Sequence, residues 1–284
     1  MLRKIIKQTI LDMNKKTNSK SFNILDSYTN NAPSIQNILD IFTGEWSSSL
    51  PLEMGLKTTP GFASLFEDSR IDWVENIFGG FANKKCLELG PLEGGHSYML
   101  QKKGATQITA IESNSRAFLK SLCIKEALNL YKVALKYGDF RAFFEESNER
   151  FDIIIASGVL YHMTDPLHLI EQMSHASDKI FLWTHYYDPV IINSRAELKS
   201  KFNNLETIEQ DGFFYQWIKQ SYKQSLNWNG FSGGSALSSR WLTRKSIIDK
   251  LKNCGYNQID ISHEAKDHPN GPSFSVCAQR NHSI

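Results

Sequence analysis

From residue 84 onward, short apolar runs alternate with amphipathic stretches. The run at 84–90 is typical of a buried strand, and the glycines after it lead into an amphipathic helix. Further strands separated by helices are predicted at 107–112, 132–137, 151–157 and 179–184. Connections of this length join parallel strands, so the pattern predicts a doubly wound α/β sheet with its ligand at the carboxyl ends of the strands.

The alternation stops after residue 188 and returns with a helix at 243–253, followed by strand candidates at 256–262 and 273–279. These complete a Rossmann-like, seven-stranded sheet that is mostly parallel, with an antiparallel closing strand. The insertion at 187–241 interrupts it. Between 211 and 241, eight of 31 residues are aromatic, about twice the average of the chain. We expect either a satellite hydrophobic core or a lid that forms a wall of the substrate site.

The pattern divides the chain into an N-terminal tail with a helical cap at 1–80 and an α/β domain at 81–284. In the tail, the spacing of Ile5, Ile6, Ile10 and Met13 suits an amphipathic helix, which either docks on the protein or lies on a membrane surface. This stretch is too short and too charged for a signal peptide or a membrane span, and no later stretch reaches membrane length.

The distribution of charge and of cysteines excludes several classes of function. The formal net charge of the chain is +2, but residues 1–20 hold six Lys or Arg and one Asp, so the rest carries a charge of −3. No basic face for a nucleic acid is therefore indicated in the folded part, and nucleic acid is not the expected partner. The four cysteines are far apart and form no CxxC pair, which indicates neither a disulfide framework nor a cysteine zinc site. A cytoplasmic setting is expected.

Acidic residues lie at the ends of three successive predicted strands. Glu88 precedes the first glycine of the turn, Gly90, by two residues. Dinucleotide-binding folds have an apolar residue there, whereas a carboxylate would repel phosphate and favour a cationic ligand. Glu112, which ends the second strand, can accept both hydroxyls of a ribose. Asp139 ends the third, where it can accept from an exocyclic amine while Phe140 packs on the ring.

This constellation resembles the class I S-adenosylmethionine-dependent methyltransferases over roughly residues 84–280. The resemblance implies S-adenosylmethionine as the cofactor and S-adenosylhomocysteine as its product. It places Glu88, Gly90 and Gly94 around the methionine part, Glu112 at the ribose, and Asp139 and Phe140 at the adenine. The other residues expected to bind the cofactor are His96, Ser113, Gly138, Ser157 and Tyr161. The turn lacks the family's common glycine two residues after Gly90, which leaves the roles of Pro91 and Glu93 open.

The stretch at 157–166 is similar to the fourth motif of the tRNA wobble-uridine carboxymethyltransferases. In that family a basic residue before the last strand pairs with the extra carboxylate of the cofactor. Here the corresponding residues are Gly271, Pro272 and Ser273, so carboxymethyl transfer loses support. The candidates for a general base near the predicted site are His162, His185 and His268.

We therefore expect a methyltransferase that acts by in-line displacement on a small-molecule acceptor. The expected nucleophile is an oxygen atom deprotonated with the help of a histidine. One alternative is a tRNA-modifying methyl- or carboxymethyltransferase that grips phosphates through the basic tail, in which case binding of the acceptor should weaken steeply with salt. Another is a non-catalytic cofactor-binding or scaffold protein that kept the fold.

Overall fold

The computed structural model describes residues 28–281 except 229 and 232, so the predicted amphipathic helix of the basic tail lies outside the described residues. The segment before the α/β domain contains helices α1 (Ile35–Asp40) and α2 (Ser69–Phe78) and strands β1 (Trp46–Ser48) and β2 (Pro60–Ala63). The two strands pair in parallel. The segment is therefore not purely helical, although its sequence predicted a helical cap.

The alternation of strands and helices predicted from residue 84 onward is present. Asp165 caps one of its helices by accepting the backbone N–H of His168 (3.1 Å), and Pro166 follows at the first helical position, as the sequence predicts. The elements are β3 (Lys85–Leu89), α3 (Gly95–Lys102), β4 (Gln107–Glu112), α4 (Ser115–Ala127), β5 (Val133–Tyr137), α5 (Phe140–Glu146), β6 (Ile153–Ser157), α6 (Pro166–Ala176) and β7 (Lys179–His185).

The remaining elements are α7 (Pro189–Asn193), α8 (Ala196–Lys199), β8 (Phe202–Gln210), β9 (Phe213–Ser221), β10 (Ser238–Leu242), α9 (Arg244–Asn253), β11 (Gln258–Ala265) and β12 (Ser273–Gln279). Strand β11 extends three residues beyond its predicted end.

The seven-stranded sheet has the order β11-β12-β7-β6-β3-β4-β5. Strands β3 to β7 are parallel, and β12 is antiparallel to both β7 and β11, which confirms the predicted closing strand.

Both faces of the sheet are covered by apolar side chains. Along β3, Cys86 belongs to one buried cluster and Leu87 to the other, and along β6 Ile153 and Ile154 divide between the same two clusters. Successive residues of a strand point to opposite faces, so the near-continuous apolar runs of these strands are explained by helices packed on both sides. Between residues 28 and 281, 229 and 232 set aside, the chain has no helix with the length and apolarity that crossing a membrane requires.

The insertion forms a three-stranded antiparallel sheet with the order β10-β9-β8. Its aromatic residues occupy three environments. Tyr215 is fully buried in the main core, whereas Trp241 and Ile218 belong to a small separate cluster. Phe213 and Phe214 are exposed at the β8–β9 turn. The insertion therefore contains a satellite hydrophobic core, which is one of the two possibilities that its sequence left open.

Candidate active site

A cavity of about 990 Å³ lies at the carboxyl ends of the central parallel strands. Four residues within two positions of the ends of β3, β4, β5 and β6 contribute to its wall: Gly90, Glu112, Asp139 and Ser157. The order of the strands reverses between β3 and β6, because β4 lies on one side of β3 and β6 on the other. Such a switch point opens a crevice at the carboxyl edge of an α/β sheet, where ligands bind.

Gly90 is required by the shape of this turn. Its φ is +63°, and a Cβ atom there would lie 2.8 Å from Val159 Cγ1. A side chain would be strained by the backbone and would also clash with the cavity wall. Gly94, at φ +80°, precedes α3 as its N-terminal cap and does not line the cavity.

Glu112 is held by the backbone. Its Oε2 accepts the N–H of Leu92 (3.1 Å) and its Oε1 the N–H of Asn114 (2.8 Å). Burial raises the pKa of the carboxyl, while these hydrogen bonds oppose the shift. Each carboxylate oxygen can accept two hydrogen bonds, and the backbone N–H of Ser113 makes a further contact with this carboxylate. The carboxylate is therefore fixed in place by the backbone and lines the cavity as a hydrogen-bond acceptor.

Asp139 faces the cavity from the end of β5. Its carboxylate caps α5 by accepting the N–H of Arg141 (2.8 Å) and also pairs with the guanidinium of Arg141. That guanidinium holds the pKa of Asp139 below its usual range. Phe140 lines the cavity next to it, whereas Gly138 does not. An adenine amine would share the Asp139 carboxylate with Arg141.

Glu88 lies behind the cavity instead of on its wall. Its buried carboxylate accepts the hydroxyl of Ser97, and burial raises its pKa. His96 stands in front of it and lines the cavity. The Nδ1 atom of His96 is 3.7 Å from Glu88 Oε1, and its Nε2–H donates to Asp68 Oδ2 (2.9 Å). Glu88 therefore lies behind His96 and is placed to interact with the imidazole ring. The sequence had predicted that Glu88 would contact the cofactor.

Asp68 and Arg70 are cavity residues that sequence reasoning missed. Burial opposes ionisation of Asp68, but hydrogen bonds from His96 and Arg70 hold its pKa well below its usual range. The Arg70 guanidinium lies 4.7 Å from the ring centroid of Trp183, and all three line the cavity. Asp68 caps α2 by accepting the N–H of Arg70 (3.0 Å). A helix cap of this kind can be detected in sequence, but its contact with the cavity depends on how the N-terminal segment docks.

The N-terminal segment is fastened to the glycine turn by Glu93. This fully buried carboxylate accepts the N–H groups of Ser47 (2.9 Å) and Ser48 (2.7 Å) and pairs with the ammonium of Lys120. Lys120 also donates to the carbonyl of Glu45 (3.0 Å). Glu93 therefore connects the glycine turn to α4 and to β1. This structural role was left open by the sequence.

The three candidate bases have different environments. His162 and His268 line the cavity, whereas His185 does not. His185 donates its Nδ1–H to the carbonyl of Gly271 (2.8 Å) and stacks on Trp241, with the ring centroids 5.1 Å apart. Burial lowers the pKa of His185 to about 4. His185 is therefore a buried residue that lies behind the cavity wall.

His268 and His162 differ in which ring nitrogen is engaged. His268 Nδ1 accepts the backbone N–H of Asn270 (3.2 Å), so the neutral ring carries its proton on Nε2 and can donate there. His162 Nδ1 lies 2.8 Å from the hydroxyl of Tyr222. Burial and the neighbouring His185 lower the pKa of His162 to about 4, and the ring is neutral at pH 7.

The cavity thus brings together most of the residues proposed from sequence. The aromatic insertion adds Phe231 and Gly233 to its wall, so this segment is a wall of the site as well as a small core. The described residues contain no group of three or more His, Cys, Asp and Glu side chains that could hold a metal ion. The predicted site residues that line the cavity are Gly90, His96, Glu112, Ser113, Asp139, Phe140, Ser157, Tyr161, His162 and His268; those that do not are Glu88, Gly94, Gly138 and His185.

Similar solved structures share this fold. The N-terminal domain of EvdMO1, crystallised in the presence of S-adenosylhomocysteine and D-fucose, is 23% identical, with a TM-score of 0.64 over 87% of this chain and 96% of that one. An S-adenosylmethionine-dependent methyltransferase from Mesorhizobium loti is 12% identical, with a TM-score of 0.51 over 76% of this chain and 100% of that one. Magnesium protoporphyrin IX methyltransferase from Synechocystis PCC 6803, with bound S-adenosylhomocysteine, is 13% identical, with a TM-score of 0.50 over 96% of this chain and 100% of that one.

Family membership rests on the sequence. No curated protein matches the chain. A family model described as a methyltransferase domain matches residues 65–231, more than half of the chain. The matched range begins in the N-terminal segment, includes the glycine turn and all three acidic strand ends, and extends into the aromatic insertion. The chain belongs to the class I S-adenosylmethionine-dependent methyltransferases.

Proposed function

We propose that the protein transfers the methyl group of S-adenosylmethionine to a hydroxyl group of a small-molecule acceptor, and that His162 accepts the proton of that hydroxyl. The observation that carries the proposal is the position of His162. It lines the same cavity as Glu112 and Asp139, and only its Nδ1 is engaged by Tyr222, which leaves Nε2 for a ligand.

The cofactor would be held by residues of the four central strand ends. When bound, S-adenosylmethionine supplies a methyl group on a positively charged sulfur. Glu112 would accept the ribose hydroxyls, and Asp139 and Phe140 would contact the adenine. The backbone at Gly90 and the ring of His96 would border the methionine part. Support comes from the fixed position of the Glu112 carboxylate on the cavity wall and from the close approach that Gly90 permits.

The chain's own contributions are alignment, exclusion of water and movement of one proton. Alignment of reacting groups can account for about 7–11 kcal/mol of a barrier. The cavity is bordered by the insertion through Phe231 and Gly233, and by the N-terminal segment through Arg70. These residues would shield the reaction from water. A general base adds roughly 10²- to 10⁴-fold for a hydroxyl acceptor, whereas a neutral amine already presents its lone pair.

A small, hydroxylated acceptor is favoured by the cavity wall and its size. The volume of about 990 Å³ lies at the upper end of the range for small-molecule sites, roughly 300–1,000 Å³, which suits two small ligands. Trp183 supplies a flat apolar surface, and His268 and Arg70 supply polar groups beside it. Because the EvdMO1 domain was crystallised in the presence of D-fucose, free sugars are the first acceptors to test.

The test is transfer of a labelled methyl group to a panel of sugars, phenols, amines and tRNA. Once an acceptor is found, His162→Gln should lower kcat by roughly 10²- to 10⁴-fold while the Kd for S-adenosylmethionine stays within about twofold. His168→Gln, which changes an exposed histidine on α6, is the matched control and should leave kcat unchanged. Transfer to amines alone, or full turnover by His162→Gln, would reject the proposal.

A further inference from the structure

A hydrogen bond joins the hydroxyl of Tyr222 to the ring of His162. The Tyr222 hydroxyl lies 2.8 Å from His162 Nδ1 and 3.2 Å from the carbonyl oxygen of Gly233. Its side chain is 6% exposed, and its ring lies against Phe231, with centroids 4.8 Å apart. Tyr222 follows β9 directly, so the insertion sheet positions it.

The third polar neighbour of the Tyr222 hydroxyl is Ser239, whose own hydroxyl donates to Gln220 Oε1 (3.2 Å). The contacts with Gly233 and His162 give the hydrogen bonds of Tyr222 a direction. The carbonyl of Gly233 can only accept, so the single proton of the Tyr222 hydroxyl is donated to it. Burial raises the pKa of Tyr222 to about 12, so the hydroxyl keeps that proton at neutral pH. The phenolic oxygen then accepts from His162, which requires the proton of the neutral imidazole to be on Nδ1.

We propose that Tyr222 is a positioning residue that holds His162 in the Nδ1–H tautomer, so that Nε2 is the ring nitrogen that accepts the proton of the acceptor hydroxyl. This inference rests on the proposed function, in which His162 is the base. During transfer, the hydroxyl proton moves to Nε2 as its oxygen bonds to the methyl carbon, and the bond between methyl and sulfur breaks with its electron pair left on sulfur. His162 becomes an imidazolium whose Nδ1–H still donates to Tyr222.

Gly233 has a specific place in this arrangement. A Cβ atom at Gly233 would lie 2.8 Å from His162 Nδ1 and 2.6 Å from Phe231 Cζ. Any other residue would therefore push His162 or Phe231 away. The absence of a side chain lets the carbonyl of Gly233 approach Tyr222 closely enough to receive its proton.

The tautomer can be measured without any turnover. In protein labelled with ¹⁵N-histidine, the His162 resonances are assigned by their loss in His162→Gln. We expect Nδ1 to be protonated and Nε2 to be bare in the wild-type protein at pH 7.5. In Tyr222→Phe, Nδ1–H loses its acceptor, and both resonances should shift towards those of the Nε2–H tautomer. An Nε2–H tautomer in the wild type, or identical spectra for the two proteins, would overturn the proposal.

Kinetics test the catalytic consequence. Tyr222→Phe should lower kcat by roughly 10- to 100-fold, with the acceptor KM and the Kd for S-adenosylmethionine within about twofold, because only the proton-accepting atom is affected. The matched control is Tyr215→Phe, which removes a buried hydroxyl of the same insertion sheet that accepts from Asn253 (3.1 Å). It should leave both the His162 spectrum and kcat unchanged.

The two proposals fail in different ways. If the spectra behave as expected but His162→Gln keeps full turnover, the base role is wrong, and the catalytic part of this inference falls with it. If His162→Gln loses turnover but Tyr222→Phe keeps both kcat and the wild-type tautomer, the base role stands and the positioning role of Tyr222 is wrong.

Discussion

The buried pair Glu93–Lys120 offers the sharpest test of how the N-terminal segment is attached. Glu93 is fully buried and receives two backbone N–H groups of β1 as well as the Lys120 ammonium. Glu93→Gln keeps the shape of the side chain but leaves the buried ammonium without its counter-charge. Such a change costs about 3–5 kcal/mol of unfolding free energy. In a chain of 284 residues that corresponds to a fall in Tm of roughly 5–8 °C.

Glu93→Gln also replaces one of the two accepting oxygens by an amide nitrogen, so a double-mutant cycle is needed to isolate the coupling between Glu93 and Lys120. Lys120→Met leaves Glu93 with its two backbone donors and should cost roughly 2–4 kcal/mol. The double variant Glu93→Gln/Lys120→Met carries no buried charge. We therefore expect it to be destabilised by about 1–3 kcal/mol less than the sum of the single variants.

The assay is urea unfolding followed by circular dichroism, together with titration of S-adenosylmethionine. All variants that detach β1 from the glycine turn should also bind the cofactor more weakly, because Asp68 and Arg70 of the same segment line the cavity. Strictly additive costs, or a Glu93→Gln protein as stable as wild type, would refute the view that this ion pair fastens the segment to the turn.

Three further predictions concern the glycine turn, the proposed base and the cap of α6. Gly90→Ala should weaken S-adenosylmethionine binding, measured by calorimetry, because its Cβ would lie 2.8 Å from Val159 in a turn with φ of +63°; unchanged affinity would contradict this. Because burial lowers the pKa of His162 from 6.5 to about 4, kcat/KM for the acceptor should stay flat from pH 8 down to about 5.5 and be lost only as pH falls towards 4. A pH–rate profile with a midpoint near 6.5 would be evidence against His162. Asp165→Ala removes the cap of α6 and should cost about 1 kcal/mol in urea unfolding without changing cofactor affinity; a change in affinity would show that this cap is coupled to the site.

The sheet and the edge that carries the cavity were predictable because both depend on local signals. Buried runs of strand length, separated by amphipathic helices, determine a parallel sheet, and Gly90, Glu112 and Asp139 lie where such strands end. The insertion sheet was not predicted. Strand β8 is an edge strand with most of its residues exposed, so its sequence lacks the apolar alternation that marks a half-buried strand.

The direction of the side chains explains why some predicted site residues do not line the cavity. His185 and Trp183 are two residues apart on β7 and share one face, but only Trp183 reaches the cavity. The ring of His185 is covered by Trp241, from an insertion whose placement local sequence does not determine. Glu88 has the predicted position at the end of β3, yet its carboxylate is directed to Ser97, and His96 lies between it and the cavity.

Calorimetric titration of the purified protein with S-adenosylmethionine, S-adenosylhomocysteine and NAD, repeated with Glu112→Ala, tests the central claim most directly. The matched control is Glu126→Ala, which removes an exposed carboxylate from α4. We predict micromolar binding of both sulfur nucleosides and none of NAD. Loss of two hydrogen bonds to the Glu112 carboxylate, each worth about 1.5–3 kcal/mol, should weaken binding by roughly 100-fold or more. Tight binding of NAD, or equal affinity of Glu112→Ala and the wild type for S-adenosylmethionine, would contradict the assignment of this cavity to the cofactor.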